Sequence, residues 1–319
     1  MAVVALDPGV EWLLRSEEPV IRYRALVDLV GASVDDRRVA AARRAIPEGP
    51  LVRALLADRL GEGRHPYSKW AGAHWRLVSL MDLGVPADLV DMRPALEPVF
   101  DWLTGPGHRA GVKVIKGKAR RCASQEGNAL AVAVHLGLAD DPRARLLATS
   151  LAEWQWPDGG WNCDKREAAR HSSFHESLPA LRGVTAFARV TGEPVVADAA
   201  ARAIEFLLDH RVVFSERTGR PISAKAIKVH YPPYWHYDLL AGLRVLAEAD
   251  QLRDPRASDA LDLLESKRAA DGTWAVEAIH FRKPGSQGSN VEVVDWGRSG
   301  ASEPVTLGTL FVLRAAGRR

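Results

Sequence analysis

One tight aromatic turn occurs twice in this chain, as Gln155-Trp-Pro-Asp-Gly-Gly-Trp161 and again within Lys267-Arg-Ala-Ala-Asp-Gly-Thr-Trp274. Asp-Gly turns the backbone through positive φ, and the flanking aromatic and Gln side chains can stack on, or hydrogen-bond to, neighbouring helix ends. A turn of one design used at two distant places predicts a chain assembled from repeats.

The residues between the turns predict helices. Helical periodicity dominates and strand-like alternation is scarce. Ser16-Glu-Glu-Pro19 predicts a helix with Ser16 as cap, Val20, Tyr23, Val27 and Val30 on one face, and Gly31 as its stop. Further helices are expected over about 35–46, 50–60, 70–84, 87–103, 124–137, 141–155, 173–191, 195–210, 234–249, 255–269 and 303–316, separated mostly by Gly, Pro or Asp-Pro. They form pairs. One member starts at a polar or aromatic cluster and runs on in small and apolar residues, as Trp70-Ala-Gly-Ala-His74, Gln125-Glu-Gly-Asn128, Ser172-Ser-Phe-His175, Tyr234-Trp-His-Tyr-Asp238 and Pro304-Val-Thr306 do. Its partner starts at Asp-Pro and carries more charge, as at Pro142 and Pro255, which predicts an outer, solvent-facing position. The fold class is therefore all-α, either an open solenoid or a closed α/α toroid of inner and outer helix rings. Residues 1–319 read as one domain, with 1–64 closing the ring and 65–319 carrying the repeats.

Charge and composition exclude several function classes. Lys and Arg number 43 against 40 Asp and Glu, which gives none of the broad positive field that nucleic-acid binding needs. No apolar run approaches the ~18 residues of a membrane span, and the opening residues lack a leader's basic region, so a cytoplasmic location is expected. Two cysteines, Cys122 and Cys163, point to thiol or metal chemistry rather than a disulfide framework.

In detail, Asp158-Gly-Gly-Trp-Asn-Cys-Asp164, Ser173-Phe-His-Glu-Ser-Leu178 and Tyr231-Pro-Pro-Tyr-Trp-His-Tyr-Asp238 resemble the squalene cyclase and protein prenyltransferase β-subunit superfamily, in particular its bacterial stand-alone prenyltransferase-like branch. The resemblance spans roughly residues 65–316 and implies the toroid. The Asp-x-Asp-Asp acid of terpene cyclases and the Asp-Asp-x-x-Asp motif of diphosphate-Mg²⁺ sites are both absent. Protein prenyltransferases hold zinc with Asp, Cys and His. Here Ser173-Phe-His175 resembles the His-bearing segment and Cys122 falls near the family Cys, while Arg120 stands where the Asp belongs. Cys163 substitutes in a zinc set of Cys163, His175 and His236, with Asp238 beside them; the alternative is a packed thiol under the turn.

Other residues complete the expected site. His175, His236 and Asp238 are the candidate acid/base groups, and His74 and Asn128 belong at the same rim if the inner helices share one direction. The basic run with Lys116, Lys118, Arg120 and Arg121, together with Lys225, Lys228 and His230, suits an anionic head group, although such runs also serve as solvated loops. Trp70, Trp75 and Trp235 are candidate cavity aromatics, and Trp161 and Trp274 read as wedges between helices. The Gly/Ser-rich 284–290 stretch reads as a mobile lid at that rim. The expected ligand is an isoprenoid or similar apolar molecule with a diphosphate-like head. Two other readings stay open: a sugar hydrolase or lyase of (α/α)₆ type using Glu126, Asp158, Asp164 or Asp238, and a non-catalytic ligand-binding scaffold.

Overall fold

Proline at or beside the first helical position opens many of the helices, in two of them after an Asp whose carboxylate accepts a first-turn N–H. A computed structural model describes residues 6–318; residues 1–5, where most of the leader-peptide reading falls, lie outside the described residues. Fourteen α-helices are present there: α1 (Pro8–Leu14), α2 (Pro19–Arg24), α3 (Arg37–Ala45), α4 (Pro50–Gly61), α5 (Ala73–Leu83), α6 (Arg93–Thr104), α7 (Pro106–Arg109), α8 (Ala123–His135), α9 (Pro142–Trp154), α10 (Phe174–Thr191), α11 (Pro194–Asp209), α12 (Leu239–Glu248), α13 (Ser258–Glu265) and α14 (Glu303–Ala315). Asp7, Asp36, Asp141 and Asp238 cap α1, α3, α9 and α12. The described residues are mostly helical, with one short two-stranded hairpin and three isolated β-bridges.

Several boundaries differ from the periodicity reading. Ser16 does not cap α2. Its Oγ accepts the Glu18 N–H at 3.0 Å, Glu18 takes the cap position, and the helix continues as a π-helical turn over Ala25–Val30 before Gly31 stops it at φ 73°. Helix α6 begins only at Arg93, and α12 only at Leu239 after the 231–238 loop. The basic run is a hairpin rather than a loop: Lys113–Ile115 (β1) pairs antiparallel with Lys118–Arg120 (β2) around Lys116 and Gly117, both at positive φ.

The two aromatic turns share their backbone and indole hydrogen bonds. In the first, Trp156 N–H donates to Gly160 O (2.8 Å), Gly159 has φ 87°, and the Trp161 indole donates to Leu151 O (2.8 Å). In the second, Ala269 N–H donates to Thr273 O (2.9 Å), Gly272 has φ 86°, and the Trp274 indole donates to Leu264 O (2.8 Å). Each Trp N–H also meets a hydroxyl of the next helix, Ser177 or Thr306. Both indoles are buried, and their donors are satisfied by the preceding helix's last carbonyls, so they act as wedges.

Helices α5, α8, α10, α12 and α14 pack in succession, and α14 also packs on α1, α2 and the π-helical turn, bringing the two ends of the described chain together. Helices α4, α6, α9, α11 and α13 lie against this series, and one apolar cluster runs from Val10 to Leu313. The closest approach is between α8 and α10. A Cβ on Gly127 would stand 2.5 Å from Ala180 N and Cα, and one on Gly183 would stand 2.5 Å from Gly127 O. Backbone cannot yield as a side chain can, so Gly127→Ala is expected to cost about 3 kcal/mol, read as a lower urea midpoint. Gly107→Ala, with open space around its Cβ, should leave the midpoint in place.

Candidate functional site

The first turns of α8 and α10 meet side by side, and this brings together residues that lie far apart in the chain. Cys122 is the N-cap residue of α8, Glu176 lies in the first turn of α10, and Cys163 follows the aromatic turn. One ligand atom from each of the three lies within 4.8 Å of the others, the one such group of His, Cys, Asp or Glu among the described residues. The Glu176 carboxylate accepts the Ser124 N–H at 3.0 Å, satisfying one of the free amides that open α8, and accepts the Cys163 thiol at 3.2 Å. Burial pushes Glu176 up. Interaction between the two neighbouring thiols lowers Cys122 and pushes Cys163 up, with burial adding to the latter.

The zinc set expected from sequence, Cys163 with His175 and His236, is not the set the fold gathers. Cys163 sits instead with Cys122 and Glu176. His175 and Glu176 are neighbours in sequence, but successive helical side chains point about 100° apart. His175 turns toward the 231–238 loop, where its Nδ1 accepts the Tyr237 N–H at 2.9 Å, leaving the proton on Nε2. His236 is stacked between the Trp235 and His280 rings, each with its centroid 3.9 Å away. Burial and neighbouring histidines hold His236 down to about 2 and His280 to about 4, so both are neutral near pH 7. Asp238 is committed as a helix cap: Oδ1 accepts the Ala241 N–H (2.7 Å) and Oδ2 the His230 N–H (2.7 Å). The His230 Nδ1 also lies 2.6 Å from Oδ2, but without hydrogen-bond alignment.

The aromatic candidates divide. Trp70 and Trp75 are fully buried. Trp70 stacks on Tyr234 at 4.2 Å and Trp75 packs edge-on at 5.2 Å, so both fill the bundle instead of lining an open cavity. His74 lies under Tyr67, Trp75 and Trp102, and burial takes it down to about 3. Asn128 donates to Tyr234 O at 3.4 Å. Trp235 remains at the rim, where the Lys69 ammonium lies 4.8 Å from its ring, 5.4 Å from Trp70 and 5.8 Å from Tyr67. Burial lowers the Lys69 pKa, and the charges of Cys122 and Glu176 oppose that. Lys69 is thus near enough for its charge to be felt by the thiol and carboxylate cluster, as is Arg121 beside Cys122.

The basic hairpin does not converge on one point. Lys116 pairs with Glu167 (3.1 Å), and Lys118 donates to Arg170 O (2.7 Å). Arg120 is buried with its guanidinium 4.3 Å from the Trp156 ring, and Arg121 donates to Glu126 (2.9 Å). Lys228 is exposed. The carboxylates considered for sugar chemistry are engaged locally: Glu126 with His108 (2.9 Å) and Arg121, Asp158 with Ser172, Asp164 with Arg166, and Asp238 as a cap. The 284–290 stretch is coil whose base is tied by Arg282 N–H to Asn290 O (2.8 Å) and Glu292 N–H to Arg282 O (2.9 Å).

Sequence reasoning missed Glu176, Lys69, His280, Tyr234 and Glu292. For Glu176 a signal was present, a carboxylate in a helix first turn one residue after a named His; the other four are brought in by long connections that periodicity does not read. Glu292 has a consequence for stability. It accepts the Tyr234 hydroxyl in a buried pocket, and burial pushes its carboxyl from 4.5 up to about 7. The folded chain then keeps a proton that the unfolded chain releases, so this contribution is complete below pH 4.5 and is lost as pH rises toward 7. The change amounts to about 3 kcal/mol. Urea titrations across this window should show that slope, and Glu292→Gln should remove it.

No protein-family model, curated protein or solved structure matches this chain.

Proposed function

We propose that the chain is a closed α/α toroid of the prenyltransferase and terpene-cyclase kind, with a metal centre at the rim where α8 and α10 begin. The observation that carries this reading is the convergence of Cys122, Cys163 and Glu176 beside Lys69. Support for ring closure comes from the succession of packed helices and the contact of α14 with α1 and α2.

Two thiols and a carboxylate fit zinc, and they leave a fourth position for a substrate atom. Without a cation, Glu176 and Cys163 are both pushed toward their protonated forms, and a dication would favour their ionised, ligating forms. Zinc bound there would lower the pKa of an incoming thiol, the chemistry that the resemblance implies. The chain's own residues contribute position. The opening amides of α8 orient Glu176, and His175 is held by the Tyr237 N–H. Lys69 supplies a cation for a diphosphate-like head, with Trp235 as an apolar face beside it. The ligand class is an isoprenoid or similar apolar molecule with an anionic head. The carboxylates required by a sugar hydrolase are committed to caps and ion pairs, and no observation favours that reading.

Purified protein should bind one zinc per chain. Cys163→Ala and Glu176→Gln should each weaken zinc at least tenfold, about 1.4 kcal/mol, in competition with a chromogenic chelator. Lys69→Met should weaken farnesyl diphosphate binding while leaving zinc in place. Zinc absent from the parent protein, or held equally well by both variants, removes the metal centre and leaves the scaffold reading.

A further inference from the structure

The opposite ends of the same helices enclose a cavity of about 500 Å³ that is separate from the metal cluster. Its wall draws on the π-helical turn after α2, the C-terminal parts of α5, α8, α10 and α12, and Phe311 of α14. Helix α8 alone places this cavity about 15–20 Å from Cys122, since its 13 residues rise 1.5 Å each. Between the two, the space left beside Tyr234 is about 30 Å³, room for water but not for a larger ligand.

Charge in the cavity is layered. At the floor, Asp82 is buried and receives Arg182 (3.1 Å) and Arg244 (2.9 and 3.0 Å), while Arg24 donates to its backbone carbonyl (3.4 Å). The other two carboxylates of the wall are paired as well, Asp28 with Arg24 (2.7 Å) and Glu248 with both ends of the Arg182 guanidinium (2.9 Å each), so with Arg189 the wall carries four guanidiniums against three carboxylates. Asp82 is held down to about 2 by Arg244 and Arg182 against its own burial, which agrees with that excess. Arg24 uses Nε on Asp28 and Nη1 on the Asp82 carbonyl, and its Nη2 reaches solvent with no protein partner among the described residues. The Thr185 hydroxyl, 8% exposed and part of the same wall, is likewise without a partner. A buried hydroxyl without a partner costs about 1–3 kcal/mol, which a ligand oxygen would recover. Met81, Val134, Val245 and Phe311 give the wall its apolar part.

We propose that this cavity binds an amphipathic monoanion, an alkyl carboxylate, with its head between Arg24, Arg244 and Thr185 and its chain along Met81, Val245 and Phe311. The volume is that of a small-molecule site, and the apolar wall with a few convergent polar groups is the usual composition of one. The arginines also compensate the negative ends of the surrounding helix dipoles, which explains a basic lining but not the unpartnered Thr185 hydroxyl.

Calorimetric titration of the full chain with decanoate, decanol and decyltrimethylammonium tests this. Decanoate should bind at one per chain, with decanol and the cation at least tenfold weaker. Ala186→Phe, which places a ring in the cavity without touching a charge, should abolish decanoate binding while leaving the urea midpoint near the parent's. Cys163→Ala should retain it, because the rim takes no part. Equal affinity for the three amphiphiles, no decanoate binding, unchanged binding in a folded Ala186→Phe, or loss in Cys163→Ala would each overturn the proposal. Decyl phosphate in place of decanoate distinguishes a carboxylate from a phosphate head: phosphate favoured tenfold or more would refute the carboxylate assignment.

Discussion

The packing of α8 against α10 is the constraint on which the rest depends. Two glycines, Gly127 and Gly183, let the backbones meet at a distance that any side chain would prevent, and they lie along the seam rather than at the site. With the helices so close, the Glu176 carboxylate reaches the opening amides of α8, a pairing that satisfies a helix end and sets the carboxylate beside Cys122. The aromatic turn then delivers Cys163, since Trp161 is wedged under it and hydrogen-bonded to Leu151 and Ser177. Three elements are thus tied to one seam before any metal is considered.

The same helices present different chemistry at their two ends. At one end lie the thiols, the carboxylate and Lys69, where free amides and the positive ends of helix dipoles favour negative groups. At the other end the dipoles reverse, and arginines accumulate around Asp82. Tyr234, Trp70 and Trp75 fill the space between and keep the ends apart. The buried and half-buried aromatic rings at the first end also explain why His74, His236 and His280 stay neutral: burial among rings penalises the imidazolium.

Most of the helices were legible because their signals are local. Asp-Pro starts, glycine stops and apolar spacing act within one or two turns, so α3, α8, α9, α10, α11 and α14 fall where periodicity places them. The Lys116-Gly117 hairpin was not read, because three-residue strands are too short for alternation to register. The start of α12 was misplaced because aromatic residues 234–237 suit a helix as well as a loop, and only the Asp238 cap decides.

The sequence by itself determined the all-α class, the equivalence of the two Asp-Gly-x-Trp turns and the presence of thiols near a helix start, since each rests on contacts between residues close in the chain. The tertiary structure decided which groups meet. Glu176 rather than His175 joins the cysteines because of the direction each leaves α10, and Trp70 and Trp75 became core because Tyr234 returns from more than 150 positions away to stack against them. Those outcomes depend on helix crossing distance and on loop paths, and neither is encoded in the spacing of residues along one element.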